Sequence, residues 1–111
     1  MELEKYMRGR VTVLAFEGEL DSTTAADARE RISELVPSDG AALLDLGGMT
    51  YMSSAGLRVL LLVYRQVREC GVPLALSRIN PDVAEVMTDT GFIDFFTVVD
   101  SVDAGVEALG A

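Results

Sequence analysis

The stretch Leu43 to Leu61, LLDLGGMTYMSSAGLRVLL, carries the decision about the fold. It starts inside a short, mostly apolar run, Ala41 to Leu46, of the kind expected of a central strand covered on both faces. Its end opens a run at helical spacing, with Leu57, Leu60, Leu61, Tyr64 and Val67 on one side and Arg58, Arg65, Gln66 and Glu69 on the other. Between them Gly47 and Gly48 read as a turn, and Ser53 and Ser54 stand directly in front of the helix. Junctions of this kind, from the carboxyl end of a strand into a helix N-terminus, are where sites collect in α/β sheets.

Toward the N-terminus, Leu3 to Met7 and Arg10 to Gly18 read as two strands joined at Gly9, an N-terminal hairpin. LDSTTAADARERISELVP then offers Ser and Thr caps, and Ala25, Ala28, Ile32, Leu35 and Val36 share one helical face that stops before Pro37. Toward the C-terminus, VPLALSRI reads as a further strand. In NPDVAEVMTDTG, Asn80 is the expected cap, Pro81 the first turn, Val83, Val86 and Met87 the inner face and Gly91 the stop. FFTVV and DSVDAGVEAL complete the chain as strand and helix. The order β-β-α-β-α-β-α-β-α predicts an α/β fold: a mixed, largely parallel sheet with an N-terminal hairpin and about four helices, in one domain spanning residues 1–111.

Composition narrows the function. Of the 111 residues 18 are acidic and 9 basic, a net charge of -9 that repels phosphate backbones and anionic lipid, so nucleic acid and membrane are not expected partners. The charged start MELEKYMRGR does not resemble a secretory signal, and no apolar run approaches the roughly 18–20 residues of a membrane span, so a cytoplasmic protein is expected. With no histidine, a Ser-His-Asp triad, a Cys-His dyad and histidine-ligated metal are excluded; there is no P-loop or metal-ligand cluster either, and no cofactor or catalytic residue is expected. The one cysteine, Cys70, reads as core or surface filler.

A serine at a helix start has an ordinary structural role, in which its hydroxyl accepts one of the free N–H groups. The same N–H groups and the positive end of the helix dipole also favour a phosphate, so a phosphoserine there could alter docking without disturbing the fold. Spacing alone does not separate these roles. Nor does it settle Val59 and Leu62, which fall beside the polar face of the helix as docking residues or as positions covered by neighbouring elements. Met49 and Met52 read as core or rim packing, Asp82, Glu85 and Asp89 as a solvated helix face, and GFIDFF as packing for the last strand.

GELD (Gly18 to Asp21) and the Leu43 to Leu61 stretch, with its Asp-Leu turn, serine and Gly-Leu pair, resemble the STAS-domain anti-sigma factor antagonists of bacterial partner-switching systems. The resemblance extends over essentially the whole chain. It implies that the residue two before the Gly-Leu pair, Ser54, accepts a phosphate, with Ser53 in reserve. The best-known members carry an aspartate where Ser53 stands. It further implies a partner surface at Asp21 and Asp45 near the serines; with Ala55, Gly56, Arg58 and Leu62 of the adjoining helix, Asp21, Asp45, Ser53 and Ser54 make up the candidate partner-binding residues.

The implied cycle has two partners. An anti-sigma factor serine kinase of the histidine-kinase-like ATPase fold binds the unmodified protein and is released by phosphorylation; a metal-dependent serine phosphatase restores binding. Two alternatives remain at this point: an unphosphorylated STAS docking subunit of an ABC-type lipid or anion transport system, and an enzyme using Asp21 and Asp45 beside Ser54.

Overall fold

The structure, a computed structural model, describes residues 1–110. Its elements follow the expected order: β1 (Glu2–Arg8), β2 (Val11–Leu20), α1 (Ala25–Leu35), β3 (Ala41–Met52), α2 (Ser54–Glu69), β4 (Leu74–Ser77), α3 (Pro81–Asp89), a 3-10 turn (Phe92–Phe95), β5 (Thr97–Val99) and α4 (Val102–Ala108). The sheet order is β1-β2-β3-β4-β5, antiparallel between β1 and β2 and parallel elsewhere. The hairpin turns at Gly9, where φ is +62°.

A sheet whose parallel strands follow chain order, with right-handed crossovers always stepping in the same direction, must put every crossover helix on one face. The packing agrees. Ala28 and Ile32 of α1, Leu57, Leu60, Val63 and Val67 of α2, and Val83 and Met87 of α3 share one core with Leu14, Phe16, Leu44, Leu46, Met49 and Met52 of the sheet. The opposite face has only α4, whose Val102 and Val106 pack on Val11, Val13, Leu43 and Ala75.

The glycines after Leu46 do not form the expected turn. β3 runs on to Met52, still paired with β2 through Leu20, and the register slips twice, between Ala15 and Glu17 and between Gly18 and Glu19. At each slip β3 carries one residue more than β2, so these are bulges. They place both Met49 and Met52 in the helical-side core, as packing residues, although their spacing is three. Gly48 is needed because a Cβ there would meet the Phe16 carbonyl oxygen at 2.7 Å. Close approach of two strands, not a turn, accounts for it.

The other expectations on packing resolve simply. Val59 is buried, so neighbouring elements cover it and it is not available for docking. Asp82, Glu85 and Asp89 are exposed on α3, and Cys70 is exposed after α2. Within GFIDFF, Phe96 is buried before β5, whereas Phe95 is half exposed on the 3-10 turn. Asn80 caps α3 by accepting from Val83 N–H at 2.8 Å, and Gly91 ends that segment at φ +78°.

Candidate functional site

The two serines have different positions. Ser53 is the N-cap of α2: its backbone is extended, and its hydroxyl oxygen accepts the Gly56 N–H at 3.3 Å. Ser54 is the first helical residue and is exposed. With Gly56 satisfied by Ser53 and the Leu57 N–H donating to the Ser53 carbonyl, the Ser54 and Ala55 N–H groups stay open beside the Ser54 hydroxyl. The first turn of α2 holds no acidic residue, and Arg58 stands exposed one turn after Ser54. Gly56 seats the helix start against β2, since a Cβ there would collide with the Leu20 carbonyl oxygen.

Asp21 belongs to the same end of the sheet. Ser53 N–H donates to Leu20 O at 3.0 Å, tying the start of α2 to the residue before Asp21. The Asp21 carboxylate accepts the Thr23 hydroxyl at 2.7 Å and the N–H groups of Thr23 at 2.9 Å and Thr24 at 3.2 Å. These bonds, led by the Thr23 hydroxyl, hold its carboxyl below the ordinary carboxylate value. Asp21 therefore organises the entry to α1. Thr24, at the N-cap position, makes no side-chain cap, contrary to the expectation from the Ser-Thr run.

Asp45 is placed elsewhere, which corrects the expectation that it would lie near the serine surface. It pairs across from Ala15, and Met52 pairs across from Leu20, so the rise of about 3.3 Å per residue puts it roughly 17 Å down the sheet from the serine end. Its side chain lies on the α4 face, is buried, and accepts bonds from Gly47 N–H at 3.1 Å, the Ser77 hydroxyl at 3.4 Å and Arg78 at 2.9 and 2.7 Å. Burial alone would raise its pKa; the Arg78 bonds, the Gly47 N–H, the Arg78 charge and Ser77 outweigh that and lower it. These bonds hold Asp45 within the sheet, with its side chain only 5% exposed. Asp21, Asp45 and Ser54 thus do not converge, and no shared acid, base and nucleophile can be built from them.

Three exposed or strained residues were given no site role by the sequence, Phe95 having been expected only to pack the last strand. Tyr51, half exposed just before the serines, was hidden because the bulges break the alternation that would mark its side. Arg78 adopts φ +57°, a conformation uncommon outside glycine, to reach Asp45. Phe95 is half exposed beside α2. It faces Leu62, Arg58 and Arg65 across a shallow groove, so Arg58 and Leu62 do share a surface. Among the described residues no group of acidic or cysteine side chains is arranged to hold a metal ion.

A sequence model of the STAS domain family matches residues 2–105. The chain is a STAS domain. A relative of this STAS domain in Bordetella bronchiseptica, BtrV, bears the description putative anti-sigma factor antagonist; it is 35% identical over 97 residues, covering 86% of this chain and 84% of its own. Among solved structures, the anti-sigma factor antagonist SpoIIAA in its unphosphorylated form superposes with a TM-score of 0.78 at 19% identity, over 99% of this chain and 98% of that one. A sulfate transporter family protein from Wolinella succinogenes gives 0.77 at 18%, over 95% and 91%. At such identities the two structures speak for the fold alone. No helix among the described residues is long and apolar enough to cross a membrane.

Proposed function

We propose that this chain, as one STAS domain over residues 1–111, is a cytoplasmic anti-sigma factor antagonist whose affinity for an anti-sigma serine kinase is switched by a phosphate on Ser54. The observation that carries the reading is the division of labour between the serines. Ser53 is engaged in capping, while Ser54 is exposed at the first helical position beside open N–H groups. BtrV supports the class of function, and SpoIIAA, solved in phosphorylated as well as unphosphorylated form, is a fold relative that is modified.

Unmodified, the end of the sheet formed by Asp21, Tyr51, Ser53, Ser54 and Ala55 binds the kinase, an ATPase of the histidine-kinase-like fold, with Arg58 beside it. ATP then delivers its γ-phosphoryl group to the Ser54 oxygen, leaving ADP, and the hydroxyl proton goes to a base of the kinase. The product carries about -1.5 to -2 charges at neutral pH, stabilised by the N-terminus of α2 and opposed to the partner. A metal-dependent serine phosphatase hydrolyses it and restores binding. The protein is substrate and ligand in this cycle, not catalyst.

Incubation with the cognate kinase and ATP should add one phosphate, mapped to Ser54 by mass spectrometry. Ser54→Ala should abolish the gain with binding retained, and Ser53→Ala should keep it. Phosphate on Ser53 alone, or on neither serine, contradicts the assignment. Ser53, in place of the aspartate usual before the acceptor, favours a second reading, a docking subunit of a lipid or anion transport system; a tight complex with a transporter ATPase, indifferent to Ser54→Asp, would support it.

A further inference from the structure

A groove of about 300 Å³ lies between α2 and the 3-10 turn, floored by Leu61, Leu62, Phe92 and Phe95 and flanked by Arg58 and Arg65. Its aromatic wall is fixed by packing. Phe95 stacks on Tyr64 with ring centroids 5.8 Å apart and meets Phe92 edge-on at 5.5 Å, yet Phe95 keeps half of its surface exposed. A preformed apolar groove costs little reorganisation on binding.

The charge of the groove's lining is the reverse of the chain as a whole, although Asp94 stands exposed on the same 3-10 turn. Acidic residues outnumber basic ones 18 to 9 overall, but no acidic residue lines the groove and both charged residues that do are arginines. Arg58 and Arg65 are separated by two helical turns, about 10 Å along α2. We infer that the groove docks an amphipathic helix of a partner protein, with apolar anchors in the floor and Asp or Glu seven residues apart facing the two arginines. Arg58 also stands one turn from Ser54, so the groove continues the surface assigned to the kinase. The partner is therefore the same kinase, and that identity rests on the function proposed above. The groove supplies affinity that does not depend on the phosphate.

Two variants test this in the complex of the full chain with the kinase, measured by calorimetry: Arg65→Glu and Phe95→Ala. Both positions are exposed, and circular dichroism checks that each variant folds. Each should weaken binding tenfold or more, Arg65→Glu should also flatten its salt dependence, and Ser54→Asp should still reduce affinity in each variant. Wild-type affinity in both variants, with the Ser54→Asp effect intact, overturns the groove and leaves the switch standing.

If the unmodified protein does not bind the kinase at all, the functional reading fails, and a probe independent of it decides the groove. A helical peptide with leucine anchors and glutamates seven apart should bind tenfold more tightly than its lysine counterpart, a preference lost in Arg65→Glu. Equal binding of the two peptides, or none, overturns the proposal. So does a dimer of this chain that Phe95→Ala disperses, which would give the groove to a second copy.

Discussion

Arg78 holds Asp45 with two parallel hydrogen bonds, Nε to Oδ1 at 2.9 Å and Nη2 to Oδ2 at 2.7 Å, and its guanidinium crosses the backbone of Gly47 to do so. The carboxylate is buried and the guanidinium half exposed, which places the pair between a buried and a surface ion pair in strength. Gly47 is part of the arrangement: a Cβ there would stand 2.6 Å from Cζ and Nε of Arg78. The nearest atoms to that Cβ belong to Arg78, so the demand for glycine comes from the ion pair.

Gly47→Ala should therefore cost about 1–3 kcal/mol in the native background by displacing Arg78 from a buried charge. In an Arg78→Ala background the same substitution should be neutral or slightly stabilising, because alanine loses less backbone entropy than glycine on folding. A double-mutant cycle by urea denaturation reads the coupling. Equal costs in the two backgrounds would show that Gly47 serves some other purpose.

The same pair sets a pH dependence. The Asp45 carboxyl titrates below its ordinary value in the folded protein, so its stabilisation is complete above the unfolded carboxylate pKa of about 3.9 and is lost as pH falls through the lower folded value. Asp21 acts in the same direction. Asp45→Asn should cost about 1–3 kcal/mol at pH 7 and narrow its deficit relative to the native protein as pH drops below about 4, followed by chemical denaturation. A deficit that grows with acid would contradict the sign.

The serines should separate in stability as well as in phosphorylation. Ser53→Ala removes the bond to Gly56 N–H and should cost about 1 kcal/mol. Ser54→Ala should change stability by less than about 0.5 kcal/mol, because Ser54 is an exposed first-turn residue and the cap is made by Ser53. Ser54→Asp should raise stability by about 0.3–1 kcal/mol through the helix dipole. Thermal melts at low salt would show all three; a larger loss at Ser54 than at Ser53 would reverse the assignment.

Gly56→Ala should be the most damaging of the conservative changes at this end. Its Cβ would meet the Leu20 carbonyl oxygen, which belongs to the paired backbone of β2, as well as Leu20 Cγ at 2.9 Å and Met52 Cγ at 3.0 Å. A cost of about 3 kcal/mol is expected from overpacking against backbone that cannot yield. Kinase binding should fall with it, because the same contact sets the height of Ser54 above the sheet. A melting temperature unchanged in Gly56→Ala would mean that the helix start is free to shift.

Local chemistry alone determined the order of elements: the apolar run at Ala41 to Leu46, the periodicity of α2, and the punctuation of α3 by Asn80, Pro81 and Gly91 are signals that neighbouring residues send each other. The motif around Ser53 and Ser54 also pointed to the correct helix start. Which serine caps, however, depended on where Leu20 of β2 anchors the Ser53 backbone, a contact between residues far apart in the chain. Gly47 and Gly48 looked like a turn because glycine leaves its cause unwritten; the cause was Arg78 over one and Phe16 under the other. Asp45 was legible as a charged residue at the end of an apolar run, but its side of the sheet and its partner were set by register and by the left-handed bend at Arg78. Periodicity records which residues avoid water, whereas a site is made by residues that meet across strands, and only the folded chain brings those together.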